Sequence, residues 1–118
     1  MRILGIDPGI GRTGWGIVKS QNGRLTVETY GCIETFKEQS VEERLLILYN
    51  DLITIIEETK PDALSIEELF FNTNTSTALV VGQARGVVLL AATQHKIPVT
   101  SYTPLQVKMA VTGYGRAD

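Results

Sequence analysis

The chain of 118 residues reads as a single α/β domain of order βββαβαβα, a five-stranded mixed sheet flanked by helices. Three observations predict it. Asn22-Gly23 separates two β-rich stretches, a strong hairpin signal. Ser40 followed by Glu43 is a capping-box pattern that opens a run of apolar residues at helical spacing. Beyond that run, strand-like and helix-like stretches alternate, so each later strand is reached through a helix and should lie parallel to the first.

Residues 2–7 form a short, mostly apolar run closed by Pro8-Gly9, a strand that ends in a turn with Asp7 as its last residue. Residues 13–20 alternate β-type residues with glycines, and residues 24–35 return as the third strand of an antiparallel meander. Val41, Leu45, Leu48, Leu52, Ile55 and Ile56 then recur at helical spacing until Lys60-Pro61 stops the helix. Glu42, Glu43, Asp51, Glu57 and Glu58 fall on its outer, solvated face. Residues 62–67 are a strand-length run containing Leu64 and Ile66, and it too finishes in carboxylates.

Residues 69–75 form a loop carrying Phe70 and Phe71, with one of the two expected to be exposed. The following helix, residues 77–94, has Ala78, Gly82 and Gly86 on one face. Two glycines cost roughly 1 kcal/mol each in a helix interior, so another backbone, from the sheet or a second subunit, is expected to approach closely there. Residues 98–102 are a fifth strand, Thr103-Pro104-Leu105-Gln106 opens a short helix ending at Thr112, and residues 113–118 form a loop.

Composition narrows the function class. The chain is 43% hydrophobic and 20% charged, with a net charge of −2, as expected for a folded globular domain. The lone Cys32 has no partner for an internal disulfide, and no leader sequence and no apolar run near 18 residues is evident. A secreted disulfide scaffold and a membrane span are therefore excluded at this level, and a cytoplasmic location is expected. Charge is unevenly placed. Asp7 is the only carboxylate through residue 27, the acidic excess lies in residues 28–68, and residues 69–117 hold none. A basic, acid-free surface is thus available to a polyanion.

Sites in open α/β sheets form beyond the carboxyl ends of strands, where Asp7 and Glu67 both fall. If the two strands are neighbours, about 4.8 Å apart, the carboxylates can share a hard cation, and Mg²⁺ is the natural one because it needs few carboxylates beside phosphate oxygens and waters. Cysteine and histidine are too scarce for zinc. Alternation does not choose between Glu67 and Glu68: Leu64 and Ile66 share a face with Glu68, Ala63 and Ser65 with Glu67. The glycine-dense segment at residues 5–16 bends the chain between two strands, and its backbone could approach phosphate oxygens closely. It lacks the lysine and Ser/Thr of a P-loop. His95 reads as a surface residue at a helix end and Cys32 as a small strand hydrophobe. No Ser-His-Asp or Cys-His nucleophile is present.

Leu4-Gly5-Ile6-Asp7-Pro8-Gly9 with Thr13-Gly14-Trp15-Gly16, Ser65-Ile66-Glu67-Glu68-Leu69-Phe70, Gly82-Gln83-Ala84-Arg85-Gly86-Val87, Gln106-Val107-Lys108 and Gly113-Tyr114-Gly115 together resemble the RuvC family of Holliday-junction resolvases. The resemblance spans nearly the whole chain and implies one ribonuclease H-like nuclease domain over residues 1–118, lacking its final helix. It further implies a homodimeric, Mg²⁺-dependent endonuclease, with Mn²⁺ able to substitute and two ions per subunit in the complete protein, that cuts opposed strands of four-way junction DNA. By the same resemblance Asp7 and Glu67 are metal ligands, Lys108 is a basic residue near the cleaved backbone, and Phe70 is inserted near the junction centre. Arg12, Arg85, Lys108 and Arg116 are the cations expected on DNA, and the helix bearing Ala78, Gly82 and Gly86 resembles the one at the dimer interface. The RuvA–RuvB branch-migration complex is an expected partner, and a membrane is not. The family's further acidic ligands come from a helix after residue 118, so this chain is expected to bind junctions weakly and cleave poorly.

Three rivals differ in chemistry. The Asp7-x-Gly9-x-x-Arg12-x-Gly14 spacing also resembles YqgF-type nucleases of the same fold, which act on ribosomal RNA precursors. Actin-like ATPases and sugar kinases use a similar Asp-x-Gly hairpin on phosphate, but need two such domains across a nucleotide cleft. A non-catalytic junction-binding module is the third.

Overall fold

A computed structural model describes residues 1–9, 11–66 and 75–100, with the backbone alone at Thr75 and Ser76. Strands β1 (Arg2–Asp7), β2 (Arg12–Gln21) and β3 (Arg24–Glu34) form the meander. Asn22 and Gly23 both take positive φ, 54° and 76°, the conformation of a two-residue turn whose twist matches the strands it joins. Helix α1 (Val41–Thr59) leads to β4 (Ala63–Ile66), and α2 (Thr75–Gln94) to β5 (Val99–Thr100). The sheet order is β3-β2-β1-β4-β5. The central pair, β1 and β4, is parallel, as is β4 with β5. Asp62 anchors that register, exchanging its N–H for the carbonyl of Arg2 and accepting from the Arg2 N–H on its carboxylate, both at 2.8 Å.

The α1 boundaries follow from its ends. Ser40 Oγ accepts from Glu43 N–H at 3.2 Å and Glu43 Oε1 accepts from Ser40 N–H at 3.3 Å, the reciprocal capping box. Lys60 closes the helix in the left-handed conformation, donating its N–H to Ile56 O. Leu48, Leu52, Ile55 and Ile56 face inward, against Leu4, Ile6, Ile17, Leu64 and Ile66 of the sheet and Ala84, Val88, Ala91 and Ala92 of α2. Tyr49 Oη donates to Gln94 Oε1, tying the two helices together. Burial of this layer, at roughly 25 cal/mol per Å² of apolar surface, is the main force holding both helices on one face of the sheet.

Several expectations need adjusting. β2 is one residue longer at each end than expected, β4 begins one residue late while its expected end at Glu67 lies outside the described residues, and β3 ends at Glu34, one residue early. α2 begins at Thr75 rather than residue 77. β5 covers only Val99 and Thr100 among the described residues, and the expected helix at residues 103–112 lies outside them. The sheet is not what approaches the small-residue face of α2: a Cβ built at Gly82 or Gly86 meets none of the described residues within 4 Å. Cys32 is exposed, because it alternates onto the uncovered side of the edge strand β3. The window Thr77–Gln94 has mean hydropathy 1.2, long and apolar enough by length and composition to cross a membrane, contrary to expectation. Its aliphatic residues outweigh Gln83 and Arg85 in the average. In this fold one face of α2 packs into the core.

A candidate active site at the end of the central strands

Strand alternation decides where Asp7 points. Ile6 is fully buried under the helices, so Asp7 belongs to the opposite face of the sheet. Across β1 and β2, Asp7 pairs with Gly14 and Gly5 with Gly16. A Cβ at residue 14 would lie 3.9 Å from Asp7 Cβ. The surface beside the half-buried carboxylate is therefore bare backbone, which lets a bulky ligand approach.

On the other side of β1, Leu4 pairs with Leu64, Gly5 with Ser65 and Ile6 with Ile66. Leu64 and Ile66 thus face the helices, while Ala63 and Ser65 share the Asp7 face. Ser65 is 2% exposed and its Oγ has no hydrogen-bond partner among the described residues. The described part of β4 stops one residue before Glu67, and Glu67, Phe70, Lys108 and Arg116 lie outside the described residues.

The remaining candidates are separated. Arg12 is exposed at the start of β2 on the Asp7 face, with its guanidinium 3.7 Å from Glu34 of β3. A hydrogen bond and charge from Cys32, then Glu34, raise its pKa above the ordinary arginine value. Arg85 is half-buried on α2, in the layer covering the opposite face, so the structure does not bring it beside Asp7. Among the described residues no three metal-binding side chains cluster. Asp7 is nonetheless a suitable oxygen donor for a hard cation that keeps waters and phosphate oxygens as its other ligands.

One residue escaped sequence reasoning. Arg44 of α1 donates from Nε to Thr35 Oγ1 at 3.1 Å, and its Nη2 lies 3.1 Å from where a Cβ of Gly11 would stand. A signal was present: Arg44 is a cation near a helix N-terminus, where the dipole favours the carboxylates of Glu42 and Glu43 instead.

Comparison with known proteins is consistent with this geometry. The family model described as crossover junction endodeoxyribonuclease RuvC matches residues 3–118. A protein of that name from Desulfitobacterium hafniense is 54% identical over 118 residues, covering 100% of this chain and 72% of the relative. One from Roseiflexus sp. is 56% identical over 117 residues, covering 99% and 70%. The solved structure of Thermus thermophilus RuvC in complex with Holliday junction substrate superposes with a TM-score of 0.81 at 31% identity, over 92% of this chain and 68% of that one. With its glycine-flanked Asp7 on a central strand and this likeness along its whole length, the chain belongs to the crossover junction endodeoxyribonuclease RuvC family, whose members are metal-dependent nucleases of ribonuclease H-like fold.

Proposed function

We propose that this chain is the nuclease domain of a Holliday-junction resolvase, hydrolysing phosphodiesters in opposed strands of four-way DNA junctions with Mg²⁺, or Mn²⁺ in its place. The observation that carries the reading is the parallel register of β1 and β4, which puts Ile66 beside Ile6, the residues that Glu67 and Asp7 follow in sequence. Continued by one step, the alternation that sets Ser65 on the Asp7 face favours Glu67 over Glu68 as the second carboxylate.

Two bound ions would supply an activated water and charge stabilisation at the leaving oxygen. The chain's own contribution would be the carboxylates of Asp7 and Glu67 as oxygen donors, while Gly14 leaves the sheet beside Asp7 free of a side chain where a DNA backbone approaches. Lys108 would neutralise charge near the cleaved phosphate. Phe70 would stack at the junction centre, and Arg12, Arg85 and Arg116 would position the arms through phosphate contacts. Junction choice then rests on shape and deformability rather than base reading.

A homodimer fits the outer face of α2. Leu79 and Leu90 are 62% and 53% exposed, Gly86 lies between them, and a second copy's helix can approach closely there. Two sites related by a two-fold axis would explain paired symmetric cuts. By family likeness the RuvA–RuvB complex would deliver the junction, in the cytoplasm. The family match over residues 3–118 favours this reading over ribosomal RNA processing.

The test combines metal titration with competition binding. Mn²⁺ should broaden the amide signals of Gly14 and Ser65 in the wild type but not in Asp7→Asn, and a four-way junction should outcompete duplex of equal length. Unbroadened signals would remove the metal site, and equal affinity for junction and duplex would remove the substrate.

A further inference from the structure

The glycine-dense turn after Asp7 closes onto the start of α1. Thr35 N–H donates to Gly11 O at 2.9 Å, and the Thr35 hydroxyl in turn accepts from Arg44 Nε. Arg44 Nη2 comes this near the turn because residue 11 has no side chain; any Cβ there would stand 3.1 Å from it. Between turn and helix lies a cavity, partly open to solvent, with about 30 Å³ of room into which one or two oxygens of a larger group can project. Gly9, Gly11, Arg12, Thr13, Thr35 and Arg44 line it, together with apolar residues of β3, α1 and α2.

Arg44 and two threonines thus share a cavity that, among the described residues, no carboxylate lines. Arg12 has a loose pairing with Glu34, whereas the half-buried Arg44 makes no ion pair with any described residue. A partly desolvated guanidinium whose terminal nitrogens lack an acceptor is a strong site for an oxyanion, because the planar fork donates two parallel hydrogen bonds to adjacent oxygens. Carboxylates could satisfy it too, but the cavity is small, partly open and adjoins a glycine turn, which suits the projecting oxygens of a tetrahedral phosphate.

We propose that this cavity is a phosphate site, with Arg44 donating to the non-bridging oxygens and the Thr13 hydroxyl adding a further bond. It is distinct from the position where cleavage would occur, since α1 covers the sheet face opposite Asp7. Free phosphate and a DNA backbone are the two sources of such a group; only the second rests on the resolvase reading.

Inorganic phosphate is titrated into the protein at constant ionic strength, with chloride as control, while the amides of Gly9 and Gly11 and the Arg44 Nε–H are followed by NMR. Saturable shifts at all three in the wild type, with the affinity read at the Gly9 and Gly11 amides weakened at least about tenfold in Arg44→Gln, are the expected result. Absence of shifts in the wild type, or equal shifts in the variant, overturns the site, and the wild-type titration decides this even if the variant fails to fold. In the second arm, a DNA backbone source predicts that Arg44→Gln lowers the dependence of junction affinity on log salt by about one phosphate contact. An unchanged salt dependence, with the phosphate shifts intact, assigns the site to free phosphate and overturns the DNA source alone.

Discussion

Asp7 on β1 stands opposite Gly14 on β2, and a methyl group at residue 14 would rest 3.9 Å from Asp7 Cβ. That is ordinary van der Waals contact, so Gly14→Ala should keep near-normal thermal stability. Gly14→Leu places a branched side chain in the space a metal and phosphate would use. Its expected signature is loss of Mn²⁺ broadening around Asp7 and, in a cleavage-competent protein, a single-turnover rate lower on the order of a hundredfold.

The turn after Asp7 leaves no room at Gly9. A Cβ there would lie 2.4 Å from the carbonyl oxygen of Arg12, a backbone atom that cannot rotate away. Gly9→Ala should therefore destabilise the domain by about 1–3 kcal/mol, read from urea unfolding midpoints at unchanged slope.

Ser40 and Glu43 satisfy two donors at the start of α1 reciprocally. Ser40→Ala should cost about 1 kcal/mol. A double-mutant cycle with Glu43→Ala should give less than the sum of the single losses, because each variant already breaks the shared box.

Ser65 is the opposite case, a buried hydroxyl with no partner among the described residues. It carries a desolvation cost without a compensating bond, so Ser65→Ala should leave stability unchanged or raise it by up to about 1 kcal/mol. A fall in Tm of several degrees would show instead that the hydroxyl is bonded through a buried water.

Much of this architecture was legible before any coordinates. Val41–Thr59 could be delimited because its cap, its apolar spacing and Pro61 all act within a few residues. The resemblance pointed to Glu67, but strand periodicity could not choose between Glu67 and Glu68, and the reason lies in β4 itself. Ala63, Leu64, Ser65 and Ile66 are all buried, and a strand covered on both faces shows no alternation to read. Register with Leu4 and Ile6 identifies the helix-facing residues. Arg44 was passed over because its partners, Thr35 and Gly11, belong to other elements.

By itself the sequence determined the order of the elements, the hairpin at Asn22-Gly23, the capped helix and the carboxylate that ends the first strand, since turns, caps and periodicity are short-range preferences of the chain. Only the tertiary structure decided that β4 lies beside β1, that Asp7 faces away from the helices and that Arg44 reaches the glycine turn. Those relations join residues distant in sequence, and their free energy exists only once the helices have buried the apolar face of the sheet.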